Sequence, residues 1–70
     1  MKLRRLRDLR EDNDFTQTDI ARKIGISQRV YAYYESGEHT IPIELLIDLA
    51  DIYDVSLDYL VGRTDDKKRF

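Results

Sequence analysis

The residues between Thr16 and Gly37 have the side chains and the spacing to recognise a partner through hydrogen bonds. This stretch predicts two short helices joined by a tight turn at Gly25. At about 100° per residue, one arc of the second helix combines small and hydrogen-bonding side chains with a single cation: Gln28, Arg29, Ala32, Tyr33 and Ser36. The opposite arc is bulky and apolar, with Val30, Tyr31 and Tyr34. The pattern predicts a helix with one face in a core and one face for a partner.

No residues are arranged for catalysis or for metal binding. The chain has one histidine, His39, and no cysteine, so we expect neither a nucleophile–base–acid set nor a structural zinc site. The aspartates of the last two predicted helices could suggest a metal site, but solvated carboxylates are the commoner interpretation. We expect no enzyme activity and no cofactor, and no small-molecule ligand is evident.

The charge is distributed unevenly along the chain. A net charge of −2 by itself argues against nucleic acid. Residues 1–35 hold eight basic and six acidic residues, whereas residues 36–70 hold four and eight. The basic half therefore contains the two-helix stretch, although its weak charge implies few phosphate contacts. No segment is apolar enough to span a bilayer or to act as a signal peptide, so we expect a soluble cytoplasmic protein without membrane contacts.

Three further helices must position this stretch. Residues 2 to about 13 predict helix 1, whose apolar stripe is formed by Leu3, Leu6 and Leu9. Arg10 lies at the edge of that stripe and needs an acidic partner there. Thr16 is the predicted N-cap of helix 2, with Asp19 completing a capping box.

The second half of the chain predicts two more helices. Pro42 fits the first position of helix 4, which is so apolar that it should be the most buried helix. Ser56 is the predicted cap of helix 5, and Gly62 ends that helix. We therefore expect one domain over residues 1–62 and a charged tail over residues 63–70.

Several motifs follow one another at a spacing found in one known family. They are Leu6-x-x-Leu9-Arg10-Glu11, Thr16-Gln17-x-x-Ile20-Ala21, Gly25, Tyr34-Glu35-x-Gly37, Pro42-x-Glu44-x-Leu46-x-x-Leu49-Ala50 and the run from Val55 to Asp65. Together they resemble the phage repressor/Cro family, also called the XRE family, over about residues 3 to 65. The resemblance implies an all-α, five-helix, repressor-like domain with a helix-turn-helix at helices 2 and 3.

The resemblance also implies duplex DNA as the partner, with helix 3 in the major groove. The side chains expected at base edges are Gln28, Arg29, Ala32 and Tyr33. Gln28 can pair with adenine, Arg29 with guanine, and Ala32 or Tyr33 with a thymine methyl group. Phosphate contacts are expected from Thr16, Gln17, Ser27, Ser36 and His39.

The same family pairs an arginine in the place of Arg10 with the glutamate that ends helix 3. We therefore predict an Arg10–Glu35 ion pair. Two residues depart from the family pattern. Asp14 stands where glycine is preferred, which implies mild strain in the turn after helix 1. Tyr31 stands where a β-branched residue is usual, so its hydroxyl must reach a polar partner or solvent.

Simpler interpretations stay open for several of these residues. Arg29 can contact a phosphate instead of a base, Tyr33 can be an ordinary exposed aromatic residue, and His39 can be a loop histidine without a role. The basic run of helix 1 is more often a solvated helix face than a phosphate clamp; it comprises Lys2, Arg4, Arg5, Arg7 and Arg10.

Two functional hypotheses follow. The first is a sequence-specific transcriptional regulator, a repressor, that binds a roughly palindromic operator as a homodimer. Helix 5 would contribute to the dimer surface, with Tyr59 and Val61 as candidates. The second is a protein-interaction module, such as an antitoxin, that retains the helix-turn-helix as a scaffold, and the acidic balance is its best support.

Overall fold

Five helices form the chain in a computed structural model that describes residues 3–68. They are α1 (Arg4–Asp12), α2 (Gln17–Lys23), α3 (Gln28–Ser36), α4 (Ile43–Tyr53) and α5 (Leu57–Leu60). Residues 3–68 contain no strand. The prediction of an all-α, five-helix fold is therefore confirmed. The predicted start of helix 1 at residue 2 and the last two residues of the predicted tail lie outside the described residues.

Side-chain caps begin three of the helices, and those at Thr16 and Ser56 are where the sequence predicts them. Thr16 and Asp19 form a reciprocal capping box at the start of α2. The hydroxyls of Ser27 and Ser56 accept backbone N–H groups at the starts of α3 and α5. Gly37 ends α3 with φ 87°, a conformation that glycine adopts without the steric cost of a Cβ atom.

Other helix ends differ slightly from the prediction. α1 is shorter, because Asn13 is its C-cap, and the left-handed conformation follows at Asp14 with φ 59°. The mild strain predicted for this turn therefore corresponds to the positive φ of Asp14. Pro42 precedes α4 as its N-cap instead of occupying its first position. α5 is a single turn, from Leu57 to Leu60.

One hydrophobic core joins all five helices. Each helix contributes one large side chain that is buried almost completely: Leu6, Ile20, Tyr31, Leu49 and Leu60. Ala21 is also buried, and α2 packs against α3. Because the core draws on every helix, the position of α3 depends on the whole domain.

Among the described residues α4 has four buried residues, more than any other helix, as expected, but part of its surface is exposed. Leu49 and Ala50 are buried, but Ile43 and Ile47 are 55% and 44% exposed. Val30, which the sequence places on the apolar arc of α3, is 38% exposed. An apolar side chain does not have to be buried, and neighbouring helices cover only part of each surface.

Arg5 connects α1 to the chain that follows α5. Its guanidinium donates to the Tyr59 carbonyl oxygen at 2.7 Å and to the carbonyl oxygen of Thr64, and it lies 3.9 Å from the centre of the Tyr59 ring. The Ser56 N–H also donates to the Lys67 carbonyl oxygen at 3.2 Å. Arg5 is therefore not part of a solvated helix face.

The predicted domain boundary at residue 62 stays a prediction. Among residues 3–68, no helix has the length and apolarity to cross a membrane.

Candidate nucleic-acid interface

The turn between α2 and α3 depends on a positive φ and on a backbone hydrogen bond. Gly25 has φ 77°, and the N–H of Ile26 donates to the Ala21 carbonyl oxygen at 3.0 Å. A Cβ atom at Gly25 would meet nothing within 4 Å. The positive φ, and not a lack of space, therefore favours glycine at this position. The turn and the buried side chains on both sides of it fix α3 against α2.

The N-terminal ends of α2 and α3 meet through two glutamine side chains. The Nε2 atom of Gln28 donates to Oε1 of Gln17 at 2.7 Å. Gln17 is half-buried and Gln28 is exposed. The contact uses one N–H of Gln28 and leaves its Oε1 atom and its second N–H for a partner. Those two groups are what a bidentate pair with adenine requires. The Gln17 side chain also faces the Glu35 carboxylate and helps to lower its pKa, so only part of its amide remains for an anion.

A second set of contacts runs along the exposed side of α3. The Nε–H of Arg29 donates to the Tyr33 hydroxyl at 3.2 Å, one helical turn later. The Tyr33 ring meets the His39 imidazole edge-to-face, with ring centres 5.0 Å apart. Arg29 and His39 are exposed, and Tyr33 is half-buried. These three candidates therefore form one connected group.

The other expected contact residues lie next to these two groups. Ala32 is half-buried and Ser36 is exposed. The Ser36 hydroxyl donates to the Tyr33 carbonyl oxygen at 3.1 Å, which occupies its single proton. The hydroxyl oxygens of Thr16 and Ser27 accept N–H groups of their own helices. Their protons stay free in those bonds, so both hydroxyls can still donate to a phosphate.

A groove beside α3 contains basic residues that the sequence argument did not select. It has a volume of about 650 Å³ and is lined by Arg4, Arg7, Asp8, Glu11, Gln17, Ala32, Glu35 and Ser36. Arg4 and Arg7 thus lie near two of the expected phosphate contacts, although Arg7 also pairs with Glu11. Their spacing of three residues on one helix was a signal that could have marked them.

The expected ion pair between Arg10 and Glu35 is present. Nε of Arg10 donates to Oε2 of Glu35 at 3.0 Å and Nη2 donates to Oε1 at 2.9 Å. Nη1 donates to the Phe15 carbonyl oxygen at 2.9 Å. The two side chains are only 14% and 7% exposed. Burial acts to raise the pKa of Glu35, but the hydrogen bonds from Arg10 and the closeness of the Tyr31 hydroxyl outweigh it, so the pKa lies below its usual value.

The Tyr31 hydroxyl was expected to reach a polar partner or solvent, and the structure differs from this expectation. The side chain is fully buried, and the hydroxyls of Tyr31 and Tyr53 have no hydrogen-bond partner of standard geometry among the described residues. Burial raises the pKa of Tyr31, and the charge of Glu35 raises it further. The Tyr31 ring thus anchors α3 in the core, and its hydroxyl lies close to the charges of the Arg10–Glu35 pair.

The two candidate dimer residues lie at the end of α5, and both are half-buried. The Arg5 guanidinium covers one face of the Tyr59 ring. Val61 lines a shallow depression of about 250 Å³. The other lining residues are Leu3, Arg4, Arg5, Leu60 and Gly62, so the predicted dimer region combines apolar and basic side chains.

The family model described as helix-turn-helix matches residues 6–60 of the chain. This chain belongs to the repressor/Cro-like (XRE) helix-turn-helix family. The match includes the whole of α2 and α3 and the two glutamines that join them.

Family relatives include proteins named as transcriptional regulators. The chain is 44% identical over 66 residues to the uncharacterized HTH-type transcriptional regulator YobD of Bacillus subtilis, covering 94% of this chain and 59% of YobD. It is 42% identical over 64 residues to the cryptic phage CTXphi transcriptional repressor RstR of Vibrio cholerae, covering 90% of this chain and 57% of RstR. The chain therefore spans less than two thirds of these relatives.

A solved structure supports the same fold. The crystal structure of a transcriptional regulator from Listeria innocua is similar to this chain with a TM-score of 0.79 and 36% sequence identity. The similarity covers 87% of this chain and 57% of that protein.

Proposed function

We propose that this chain binds double-stranded DNA in a sequence-specific manner and regulates transcription, as a repressor. It would act by binding alone, without catalysis, and in the cytoplasm. The observation that carries the proposal is the contact between Gln17 and Gln28, 2.7 Å long, at the joined ends of α2 and α3. It supports an arrangement in which one amide faces a base while its neighbour faces a phosphate.

The exposed side of α3 would enter the major groove. Gln28, Arg29 and Ala32 would meet base edges there, with Tyr33 beside Arg29. Contacts to the phosphates would come from residues near the ends of both helices: Thr16, Gln17, Ser27, Ser36 and His39. Ser36 would first turn its hydroxyl away from the Tyr33 carbonyl oxygen. Arg4 and Arg7, in the groove beside α3, would add to the phosphate contacts. With so few basic residues, binding should depend only weakly on salt.

The active form would be a homodimer on a roughly palindromic operator. One helix-turn-helix buries little surface, and a two-fold dimer places two copies of α3 about one helical turn apart on the DNA. Tyr59 and Val61 would contribute to the dimer surface. The apolar side chains of Leu3, Leu60 and Val61, which line one depression with Arg4 and Arg5, support this location.

Selection from random duplexes with the purified chain tests the proposal. We expect one enriched, roughly palindromic sequence, and a mobility shift on that duplex that weakens in Gln28→Ala and in Arg29→Ala. Analytical ultracentrifugation of the complex should give two chains per duplex. If selection enriches nothing while the chain is folded, the protein-interaction hypothesis replaces this one.

A further inference from the structure

We propose that Tyr33 is a positioning residue for Arg29, held in place by His39, and that the three together set a preference for guanine at one position of each half-site. This inference rests on the proposed DNA binding. It assigns Tyr33 a role through Arg29 instead of a direct contact with a base.

The contact between Arg29 and Tyr33 determines which part of the guanidinium is left for a partner. The Tyr33 hydroxyl accepts the Nε–H of Arg29 at 3.2 Å. The terminal nitrogens Nη1 and Nη2 keep their donors, and together they form a fork that fits the O6 and N7 acceptors of guanine. The guanidinium carbon also lies 5.9 Å from the centre of the Tyr33 ring, within the range of a cation–π contact.

His39 reaches Tyr33 because the chain turns back after α3. Gly37 adopts the left-handed conformation, and the N–H of His39 then donates to the Tyr33 carbonyl oxygen at 3.3 Å. The Ser36 hydroxyl donates to the same carbonyl oxygen at 3.1 Å. This backbone arrangement places the imidazole edge-to-face against the Tyr33 ring, with centres 5.0 Å apart. The ring is therefore supported on the side of the loop.

Such support matters because arginine is long and flexible. A free arginine side chain loses many rotamers when it binds, whereas one that is already oriented loses fewer. A hydroxyl one turn away provides that orientation, since residues four apart lie side by side on a helix. Phenylalanine at position 33 would keep the ring and its contact with His39 but would release Nε of Arg29.

The test uses the duplex that the wild-type chain selects and a second duplex in which the guanine opposite Arg29 is replaced by 7-deazaguanine, which lacks N7. The measured quantity is the ratio of the two dissociation constants. For the wild-type chain we expect a ratio of roughly tenfold, within the discrimination typical of a bidentate pair. Arg29→Ala should bring the ratio close to one.

Tyr33→Phe should reduce the ratio by about threefold, the effect of one lost hydrogen bond. His39→Ala should also reduce the ratio, but by a smaller factor. The matched control is Tyr34→Phe, because Tyr34 is the next residue of α3 and packs against the core. That variant should keep the wild-type ratio.

Three results would overturn the inference while leaving the proposed function intact. One is a wild-type chain that selects a sequence but shows, at every guanine of that sequence, the same ratio of dissociation constants as Arg29→Ala. Another is a Tyr33→Phe variant with the wild-type ratio. The third is a Tyr33→Phe variant that loses a thymine preference instead, which would mean that Tyr33 contacts a base itself. Failure of the proposed function would be distinct, because the wild-type chain would then select no sequence.

Discussion

Helix α3 has polar contacts at both ends, and the two ends differ in their exposure to water. At its C-terminal end, the carboxylate of Glu35 is 7% exposed and receives two hydrogen bonds from Arg10. At its N-terminal end, Gln28 and Arg29 are exposed and make one side-chain hydrogen bond each, to Gln17 and Tyr33.

This difference separates two tasks of one helix. A buried charge without its partner is costly, so the Arg10–Glu35 pair should control stability and the position of α3. An exposed hydrogen bond contributes little to folding because water competes for the same groups. The contacts of Gln28 and Arg29 should therefore control recognition. The predictions below test this division.

Arg10→Met should have the largest effect, because it leaves the Glu35 carboxylate buried without its partner. We expect a loss of about 3–5 kcal/mol in the free energy of unfolding, a large part of the stability of so small a domain. Urea denaturation followed by circular dichroism measures it. The matched control is Arg7→Met, which removes an exposed pair with Glu11 and should cost less than about 1 kcal/mol. Equal losses in the two variants would contradict the division.

Gln28→Ala should affect recognition but not folding. We expect a loss of about 1–3 kcal/mol in the free energy of binding to the selected duplex. Its free energy of unfolding should stay within about 0.5 kcal/mol of the wild type. The control is Val30→Ala, on the opposite side of the same helix, which should bind like the wild type. A Gln28→Ala variant that binds normally, or that unfolds easily, would remove the distinction between the two ends of α3.

Acid should act on the buried end. The pKa of Glu35 is lowered from 4.5 in the folded chain, so its contribution to stability is complete above that value and is lost as pH falls through the folded pKa. Thermal unfolding measured between about pH 6 and about pH 3, a range that spans the ordinary pKa of a carboxylic acid, should show this loss. Glu35→Gln should be less stable at pH 6, with a weaker dependence on pH. An unchanged slope in that variant would show that other carboxylates govern the acid response.

Tyr31→Phe should have the smallest effect. The ring keeps its packing, and the hydroxyl that is removed has no hydrogen-bond partner of standard geometry among residues 3–68. We expect a change in unfolding free energy of about zero, or a slight stabilisation of less than about 1 kcal/mol. Chemical denaturation of Tyr31→Phe beside Tyr53→Phe measures it. A loss above about 1 kcal/mol would mean that the Tyr31 hydroxyl supports Glu35 directly.

Local chemistry made much of the fold predictable from the sequence. The caps at Thr16, Ser27 and Ser56 and the glycine at position 37 act within a few residues of themselves, so their types and spacing fix the helix ends. The Arg10–Glu35 pair was also predictable, because a half-buried cation needs an anion and the family resemblance indicates which one.

Other features depend on how distant parts of the chain pack, and the sequence pattern could not give them. Arg5 lies in a basic run but is covered by the chain after α5. Ile43 and Ile47 are apolar, yet no neighbouring helix covers them fully. In the candidate site, the i,i+4 spacing of Arg29 and Tyr33 is visible in the sequence. The contacts of Gln17 with Gln28, and of Tyr33 with His39, depend on how α2, α3 and the following loop are placed in space.

The most direct test of the central claim, that the exposed side of α3 binds DNA, is a chemical-shift titration. The chain labelled with nitrogen-15 is titrated with the selected duplex, and backbone and side-chain amide signals are followed by NMR. We expect the largest shifts at Gln17, Gln28 and Arg29, including the side-chain amides of the two glutamines, and small shifts along α4. Shifts centred on Ile43 and Ile47, or no shifts at all with the selected duplex, would contradict the account.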